Sequence, residues 1–166
     1  GYTITAVTNR GYMFDANNDI LNENELKKYI DFDCNVAFYK SIDSTNNEAK
    51  RIITDGDTKP LLVVGEEQTA GRGRQGKSFY SPAKTGIYMS LVVHPMAKLQ
   101  NAVTATTAAS VAVCKAIEKL TDITPQIKWV NDVYVDGKKI CGILTEAVSD
   151  FETGAVEAVV VGIGIN

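Results

Sequence analysis

The chain has 166 residues, of which 45% are hydrophobic and 22% are charged, and its formal net charge at pH 7 is -3. This balance predicts a folded protein with a hydrophobic core, and it excludes a disordered chain and a nucleic-acid binder that is basic over its whole surface. The length suits one domain with a fragment of a second.

The cysteine and histidine content restricts the chemistry further. Cys34, Cys114 and Cys141 are odd in number and form no C-x-x-C pair, which predicts buried thiols in a reducing compartment. With His94 as the only histidine, a histidine-ligated metal site or a histidine-based triad is nearly excluded, and we predict no protein-held metal. No apolar run reaches the roughly 18 residues of a membrane span, and no signal peptide opens the chain. These features predict a cytoplasmic protein without a membrane segment.

In the first half of the chain, short strands and helices are separated by polar turns. Residues 1–14 alternate polar and apolar side chains around Asn9-Arg10-Gly11, which predicts a β-hairpin, and the polar segment 15–24 is predicted to be a linker. Thr45 and Glu48 have the spacing of a capping box, which predicts a helix from Thr45 as N-cap to about residue 53. The other predicted elements of this half are a helix at 25–30, strands at 36–40, 61–66 and 87–93, and a long loop at 69–82.

The second half contains the longest predicted helix, the Ala-rich segment 102–120, whose apolar residues recur at helical spacing. Asp136-Gly137 is a strong hairpin signal between two short apolar runs. Strands are predicted at 126–129, 133–135, 140–145 and 155–163. Several hairpins with two or three helices, not in strict alternation, predict an α+β fold: a mixed, mainly antiparallel sheet with helices packed on it.

The segment most suggestive of chemistry is Gly71-Arg72-Gly73-Arg74-Gln75-Gly76-Lys77, which holds three cations and three glycines and no acid. Glycine lets a backbone approach a ligand closely, exposed N–H groups bind anions, and arginine adds bidentate contacts to carboxylate or phosphate. The alternative is a solvated, flexible basic loop. Because three glycines and like charges leave few internal contacts, residues 71–77 are expected to be mobile without ligand and ordered with ligand. The spacing of its glycines matches a dinucleotide-binding turn, but no helix signal follows, and the segment is not a Walker A loop.

Three further segments carry candidate residues. In Lys128-Trp129-Val130-Asn131-Asp132, the lysine could bridge two anions, although a surface lysine before a turn is the commoner case. Gly162-Ile163-Gly164-Ile165-Asn166 allows close ligand approach at a strand end, or is a simple β-bulge. Ser44-Thr45-Asn46 could bind a polar ligand group beside a helix N-terminus, or could only cap that helix.

These segments together, in this order, resemble the biotin protein ligase family from about Asn35 to Asn166. The motifs that carry the resemblance are Ser-Thr-Asn, Gln68-Thr69-Ala70 followed by Gly-Arg-Gly-Arg-x-Gly-Lys, Lys-Trp-x-Asn-Asp-Val, the run from Lys139 to Glu146, and Gly-Ile-Gly-Ile-Asn. The resemblance implies an enzyme that activates biotin with ATP to biotinyl-5′-AMP and transfers it to a lysine of a biotin carboxyl carrier protein. Mg²⁺ is expected with the nucleotide.

The resemblance also implies a site. Lys128 and Arg74 would be the catalytic residues, with Lys128 between the biotin carboxylate and the α-phosphate. The biotin-binding residues would be Ser44, Thr45, Asn46, Gln68, Gly71, Arg72, Arg74, Lys128, Gly162 and Gly164. The nucleotide-binding residues would be Arg72, Lys77, Phe79, Asn131 and Asn166.

The sequence departs from the family pattern at Val130, where proline is usual, and it ends at Asn166, where family members continue. We therefore expect residues 21–166 to be a catalytic domain truncated at its C-terminal side. Residues 1–20 resemble the wing of a winged helix plus a linker, as in family members that repress a biotin operon. DNA binding would then need a missing N-terminal domain, and a homodimer is compatible with this type.

Three other functions stay open at this point. A lipoate or octanoate ligase would share the fold, and a biotin-sensing repressor core could coexist with ligase activity. A nucleotide-binding module without catalysis is the least specific alternative.

Overall fold

A computed structural model describes residues 4–8, 11–14, 20–56, 58–94, 102–150 and 152–166. It divides into two compact units, Gly1–Asp31 and Phe32–Asn166. The division falls later than the boundary that the sequence predicts after residue 20.

The N-terminal unit contains an antiparallel pair of strands, β1 (Ile4–Val7) and β2 (Gly11–Phe14), and a short helix, α1 (Glu23–Lys27). The paired strands confirm the predicted hairpin, whereas Asn9, Arg10 and linker residues 15–19 lie outside the described residues. Helix α1 begins before the predicted segment 25–30 because Asn22 caps it: the Glu25 backbone N–H donates to Asn22 Oδ1 at 3.0 Å. The origin of this unit in a winged helix stays a prediction.

The second unit is built on a seven-stranded sheet in the order β3-β4-β5-β9-β8-β7-β6. Its strands are β3 (Asn35–Tyr39), β4 (Leu61–Gly65), β5 (Ile87–Val93), β6 (Gln126–Lys128), β7 (Asp132–Val135), β8 (Lys138–Ser149) and β9 (Val156–Ile165). Only β3 and β4 pair in parallel, and the other pairs are antiparallel. The predicted α+β fold with a mixed, mainly antiparallel sheet is confirmed.

Helices α2 (Thr45–Thr54) and α3 (Ala102–Leu120) cover opposite faces of this sheet. Successive residues of a strand point to opposite faces, and β9 divides accordingly. Ala158 and Val160 pack with the α2 side chains, while Val159 and Val161 pack with those of α3. Each fully buried aliphatic side chain contributes about 1.5–3 kcal/mol, so the two cores together fix both helices on the sheet.

The predicted capping box at the start of α2 is wrong. The N-cap is Ser44, and its side chain makes no capping hydrogen bond. Thr45 Oγ1 instead donates to Gln68 Oε1 at 3.2 Å, and the Glu48 carboxylate accepts from the Tyr39 hydroxyl at 2.8 Å. Both side chains that the local pattern assigned to capping are instead hydrogen-bonded to residues outside the helix.

The β7–β8 hairpin turns at Asp136 and Gly137, which have φ values of 49° and 73°, as the Asp-Gly signal predicts. A bulge follows, because Tyr134 is opposite Lys139 whereas Val133 is opposite Cys141. Ile140 is the extra residue on β8. Residues two apart on a regular strand point to the same face, but because of this extra residue Lys139 and Cys141 point to opposite faces of the sheet.

The three cysteines are free, with Cys114 and Cys141 buried and Cys34 half-buried. Burial raises the pKa of Cys141 to about 12, so this thiol is neutral at physiological pH. Within the described ranges, no helix is long and apolar enough to cross a membrane. The same part of the chain has no cluster of three His, Cys, Asp or Glu side chains suited to a metal ion.

Candidate functional site

A cavity of about 50 Å³ lies where the N-terminus of α2 meets the middle of the sheet. Its floor includes Gly162 and Gly164, which lie on the same face of β9 as the α2 core. Because these positions lack side chains, Asn46 and Phe79 lie directly on the strand. The cavity is lined by Ser44, Thr45, Asn46, Gln68, Arg72, Gly73, Arg74, Phe79, Asn131, Lys139, Gly142, Ile143, Leu144, Gly162, Ile163 and Gly164.

One end of the cavity is uncharged and polar. The Gln68 side chain accepts from the Thr45 backbone N–H at 2.9 Å and donates to Ser81 Oγ at 2.9 Å, which orients its amide group. Fully buried Ser90, on β5, has its hydroxyl 2.7 Å from Thr45 Oγ1. Ser44 also lines the cavity, and its side chain makes no hydrogen bond that caps the helix. This end therefore presents fixed donors and acceptors to a small polar group.

The loop that follows Gln68 closes over the cavity from one side. It is internally bonded: the Gly73 N–H donates to the Lys77 carbonyl at 2.7 Å, and the Phe79 N–H donates to the Gly71 carbonyl at 2.8 Å. Arg72 donates to Asn47 Oδ1 at 3.0 Å, which connects the loop to α2. The sequence predicted few contacts within this loop. That prediction is wrong, because backbone hydrogen bonds pair the two sides of the loop despite its glycines.

The aromatic ring of Phe79 covers the glycine floor. A Cβ atom at Gly164 would overlap the ring edge, and one at Gly142 would lie 3.2 Å from it. Gly142 and Gly164 are directly opposite each other on β8 and β9, so one ring covers both. Tyr88 packs edge-on against Phe79, with ring centroids 6.4 Å apart. The centre of the cavity is therefore apolar and suited to a flat or hydrocarbon group.

The other end of the cavity carries positive charge. Arg74 Nη1 donates to Asn131 Oδ1 at 2.6 Å, and Lys139 Nζ lies 2.8 Å from Asp132 Oδ1. A second cavity of about 300 Å³ shares lining residues with the first at this end, and Lys77 lines it together with Arg74 and Lys139. Three cations and one carboxylate, Asp132, line this second cavity, which is therefore suitable for a ligand with several negative charges.

The structure brings most of the predicted site residues to these cavities but not all of them. Lys128, on edge strand β6, does not line either one, and its ammonium lies 5.4 Å from the centre of the Tyr134 ring. Gly71 is buried at the start of the loop, where a Cβ atom would overlap the Phe79 carbonyl oxygen. Asn166 also lines neither cavity, and its amide accepts from the Tyr88 hydroxyl at 3.2 Å and donates to the Tyr80 carbonyl at 3.1 Å.

Sequence reasoning assigned to this site neither Ser90, which lies behind Thr45 and Asn46, nor several residues that line the cavity, which are Gly73, Lys139, Gly142, Ile143, Leu144 and Ile163. Lys139 follows a hairpin turn, and 42% of its side chain is exposed. The bulge at Ile140 directs that side chain to the face of Gly142. Ser90 lies inside an apolar strand, where one hydroxyl among aliphatic residues carries no functional signal. The available signal for Lys139 was its position at the start of the segment that the resemblance singled out.

Comparison with known proteins identifies a family for the part of the chain that contains these cavities. The sequence profile of the Biotin/lipoate A/B protein ligase family matches residues 38–166. The chain is 35% identical over 169 residues to the bifunctional ligase/repressor BirA of Bacillus subtilis, covering 100% of this chain and 51% of that protein. The chain thus spans about half the length of the curated relatives it matches.

Solved structures give the same result. The biotin protein ligase of Aquifex aeolicus in complex with biotin and ATP has a TM-score of 0.67 and 32% identity, covering 80% of this chain and 52% of that one. The biotin protein ligase of Leishmania major in complex with biotinyl-5-AMP has a TM-score of 0.59 and 27% identity, covering 80% of this chain and 57% of that one.

Proposed function

This chain belongs to the Biotin/lipoate A/B protein ligase family, and from that membership we propose that it is the biotin- and nucleotide-binding core of a biotin protein ligase. The enzyme would convert biotin and ATP to biotinyl-5′-AMP and then biotinylate a lysine of a biotin carboxyl carrier protein. The observation that carries the proposal is one cavity with an uncharged polar end, an apolar centre and a cationic end. Biotin has the same sequence of chemistry: a ureido ring, a hydrocarbon body and a carboxylate.

In this assignment the ureido ring binds among Ser44, Thr45 and Gln68, whose hydrogen-bonding groups are fixed before the ligand arrives. Phe79, whose ring lies directly on the glycine floor, packs against the side of the hydrocarbon part. The carboxylate then points to the cationic end, where Arg74 and Lys139 are. The nucleotide phosphates occupy the outward cavity beside Lys77.

The first reaction joins two anions. A carboxylate oxygen of biotin attacks the α-phosphorus of ATP, the bond to the β-phosphate oxygen breaks, and pyrophosphate leaves. The protein's part is positioning and charge neutralisation, since both reactants repel each other. We assign the bridging ammonium to Lys139, which lines both cavities. Lys128 is the other candidate, because it lies in one cross-strand row with Asp132, Gly142 and Gly164 on the same face of the sheet.

In the second reaction, the amine of the target lysine attacks the carbonyl of the mixed anhydride, and AMP leaves. Water would compete for that carbonyl, so the intermediate must be covered until the acceptor arrives. The loop from Gly71 to Lys77 would cover it, and the hydrogen bonds of Arg72 to α2 and of Arg74 to the β6–β7 turn support this role.

Mg²⁺ would enter with ATP as part of the substrate. Asp132 is the carboxylate among the residues lining the two cavities, and its Oδ1 already has Lys139 and Asn131 as partners. The lining residues therefore fit a cation that is held mainly by phosphate oxygens and water, as Mg²⁺ commonly is.

The activity is tested by biotin-dependent release of pyrophosphate from ATP, measured on the protein at its natural full length. A parallel titration with lipoate separates the two ligase types of this family, since competition in favour of lipoate would contradict the assignment. If the protein neither releases pyrophosphate nor binds biotin, the ligase assignment is wrong and the chain is a binding module of other specificity.

Gln68 provides a test of the polar end. Gln68→Ala removes the acceptor of Thr45 and the donor to Ser81, and we expect biotin affinity to fall by about 1–3 kcal/mol because polar groups are left unpaired. Calorimetric titration with biotin measures the change. Gln126→Ala, at an exposed position on β6, is the control. Parent-like affinity of Gln68→Ala would remove Gln68 from the ureido site.

Arg74 provides a test of the loop. Arg74→Gly removes the hydrogen bond to Asn131, so the loop should lose protection from hydrogen exchange and the activated intermediate should escape. We expect lysines of bystander proteins to be biotinylated together with the normal acceptor, which mass spectrometry of labelled peptides detects. Labelling that stays confined to the acceptor would show that Arg74 does not retain the intermediate.

A second function, repression of transcription, is favoured by the separate N-terminal unit and by the ligase/repressor BirA among the relatives. It would require a DNA-binding domain that includes residues before this chain, and a homodimer would match a two-fold operator. Binding of an operator-like duplex by the full-length protein, dependent on biotin and ATP, tests it. The three free thiols are consistent with the cytoplasmic location we propose.

A further inference from the structure

Glu146, on β8, is a half-buried carboxylate that does not itself line the first cavity of about 50 Å³. Its Oε2 accepts from Asn46 Nδ2 at 2.9 Å, and its Oε1 accepts from Lys50 Nζ at 2.7 Å. Arg72 Nη2 lies 3.5 Å from the same Oε1. One carboxylate thus joins the start of α2, the middle of α2 and the glycine-rich loop.

The ionised form of Glu146 is the one that these contacts select. Burial alone would raise the pKa of this carboxyl, but the hydrogen bonds from Lys50 and Asn46, with the charges of Lys50 and Arg72, lower it below its ordinary value. An ionised carboxylate only accepts hydrogen bonds. Each group that faces it must therefore present an N–H.

This requirement fixes the amide of Asn46. Its Nδ2 donates to Glu146 and to the Leu144 carbonyl, at 2.9 and 3.3 Å, and its Oδ1 accepts from the Ser90 hydroxyl at 2.5 Å. A flipped amide would direct oxygen at a carboxylate and a carbonyl. The Asn46 oxygen consequently faces Ser90 and the backbone of Gly162, on the floor of the cavity.

The contact with Arg72 connects the same carboxylate to the loop. About half of the Arg72 side chain is exposed, whereas 19% of the Glu146 side chain is. The guanidinium therefore reaches from solvent to an anion that α2 and β8 hold in place. Its other nitrogen donates to Asn47 on α2, so Arg72 is held at two points while it covers the cavity.

We propose that Glu146 is a positioning residue of the biotin site, which couples the closed position of the loop at Arg72 to the orientation of Asn46 on the cavity floor. The inference rests on the proposed function, because biotin affinity is its readout. Glu146 touches no substrate in this assignment. It acts through the two residues that do.

Glu146→Gln tests the coupling with little change in shape. An amide offers one acceptor, so it cannot serve Asn46 and the two cations together. We expect the Kd for biotin to rise about tenfold, a loss of about 1.4 kcal/mol, and Arg72→Met to have an effect of similar size. Because both changes break the same connection, the double variant should be weaker than the parent by about twentyfold at most, not by the hundredfold of independent effects.

Calorimetry on the full-length protein measures these constants, and Arg51→Met is the matched control. Arg51 is also an ion-paired cation of α2, but it pairs with Asp43 and Glu48 and does not line the cavity. Its substitution should change the Kd less than twofold. A hundredfold loss in the double variant, or a parent-like Kd for Glu146→Gln, would overturn the inference.

Glu146→Asp keeps the negative charge beside Lys50 and shortens the side chain by one methylene. This variant provides a second test in case Glu146→Gln does not fold. We expect its Kd to rise several-fold while its thermal unfolding stays near that of the parent. A parent-like Kd for this folded variant would also refute the coupling. A parent protein that binds no biotin would instead refute the proposed function, so the two failures are distinct.

Discussion

Lys139→Gln should slow formation of biotinyl-5′-AMP by about 10²–10³-fold, the scale on which enzymes lose rate when one preorganised charge stabiliser is removed. The Lys139 ammonium lies against Gly142 and lines both cavities, and the proposed function brings the biotin carboxylate and the α-phosphate together there. Glutamine keeps a hydrogen-bond donor for Asp132, so the local structure should persist while the charge is lost. Lys139→Arg should restore only part of the rate, because a planar guanidinium does not replace a compact ammonium between two anions.

Pyrophosphate release by the full-length enzyme measures this effect, with thermal unfolding as a check on folding. Lys128→Gln belongs in the same experiment, because the family resemblance assigns the bridging charge to Lys128 whereas we propose Lys139. Lys119→Gln, at an exposed position in the last turn of α3, is the control for loss of a lysine. A slow Lys128→Gln enzyme beside a parent-like Lys139→Gln enzyme would restore the assignment made from the sequence.

Gly162→Ala should weaken biotin binding at least tenfold and lower the free energy of unfolding by about 1–3 kcal/mol, the usual cost of overpacking. The new Cβ atom would overlap Asn46 Oδ1 and lie 2.9 Å from its Cγ. Asn46 cannot move aside cheaply, because Ser90, Glu146 and Leu144 all hold its amide.

A second substitution makes this test specific. In an Asn46→Ala background the overlap disappears, so adding Gly162→Ala should then change the free energy of unfolding by less than about 0.5 kcal/mol, as for a surface substitution. Chemical denaturation and calorimetric titration of the four proteins give both quantities. Equal costs of Gly162→Ala in both backgrounds would show that the clash with Asn46 is not the cause.

The sequence predicted much of the fold because hydrophobic period and turn chemistry are local. Helix α3 and strand β5 have the predicted bounds, and Asp136-Gly137 makes the expected hairpin turn. Those signals depend on neighbours within a few residues, so they survive in almost any tertiary context. The start of α2 failed for the opposite reason, because Gln68 is a long-range partner that outcompetes a local cap for Thr45.

The sequence alone also determined the family and the chemical character of the loop, since residue types in a fixed order carry both. Which residues meet was decided only by the tertiary structure. A single inserted residue, Ile140, turns Lys139 toward the cavity, and the position of β6 at the sheet edge leaves Lys128 over Tyr134. Strand alternation makes such placements depend on register, and a shift of one residue moves a side chain to the other face. No local pattern encodes that shift, because a bulge depends on how two strands pair.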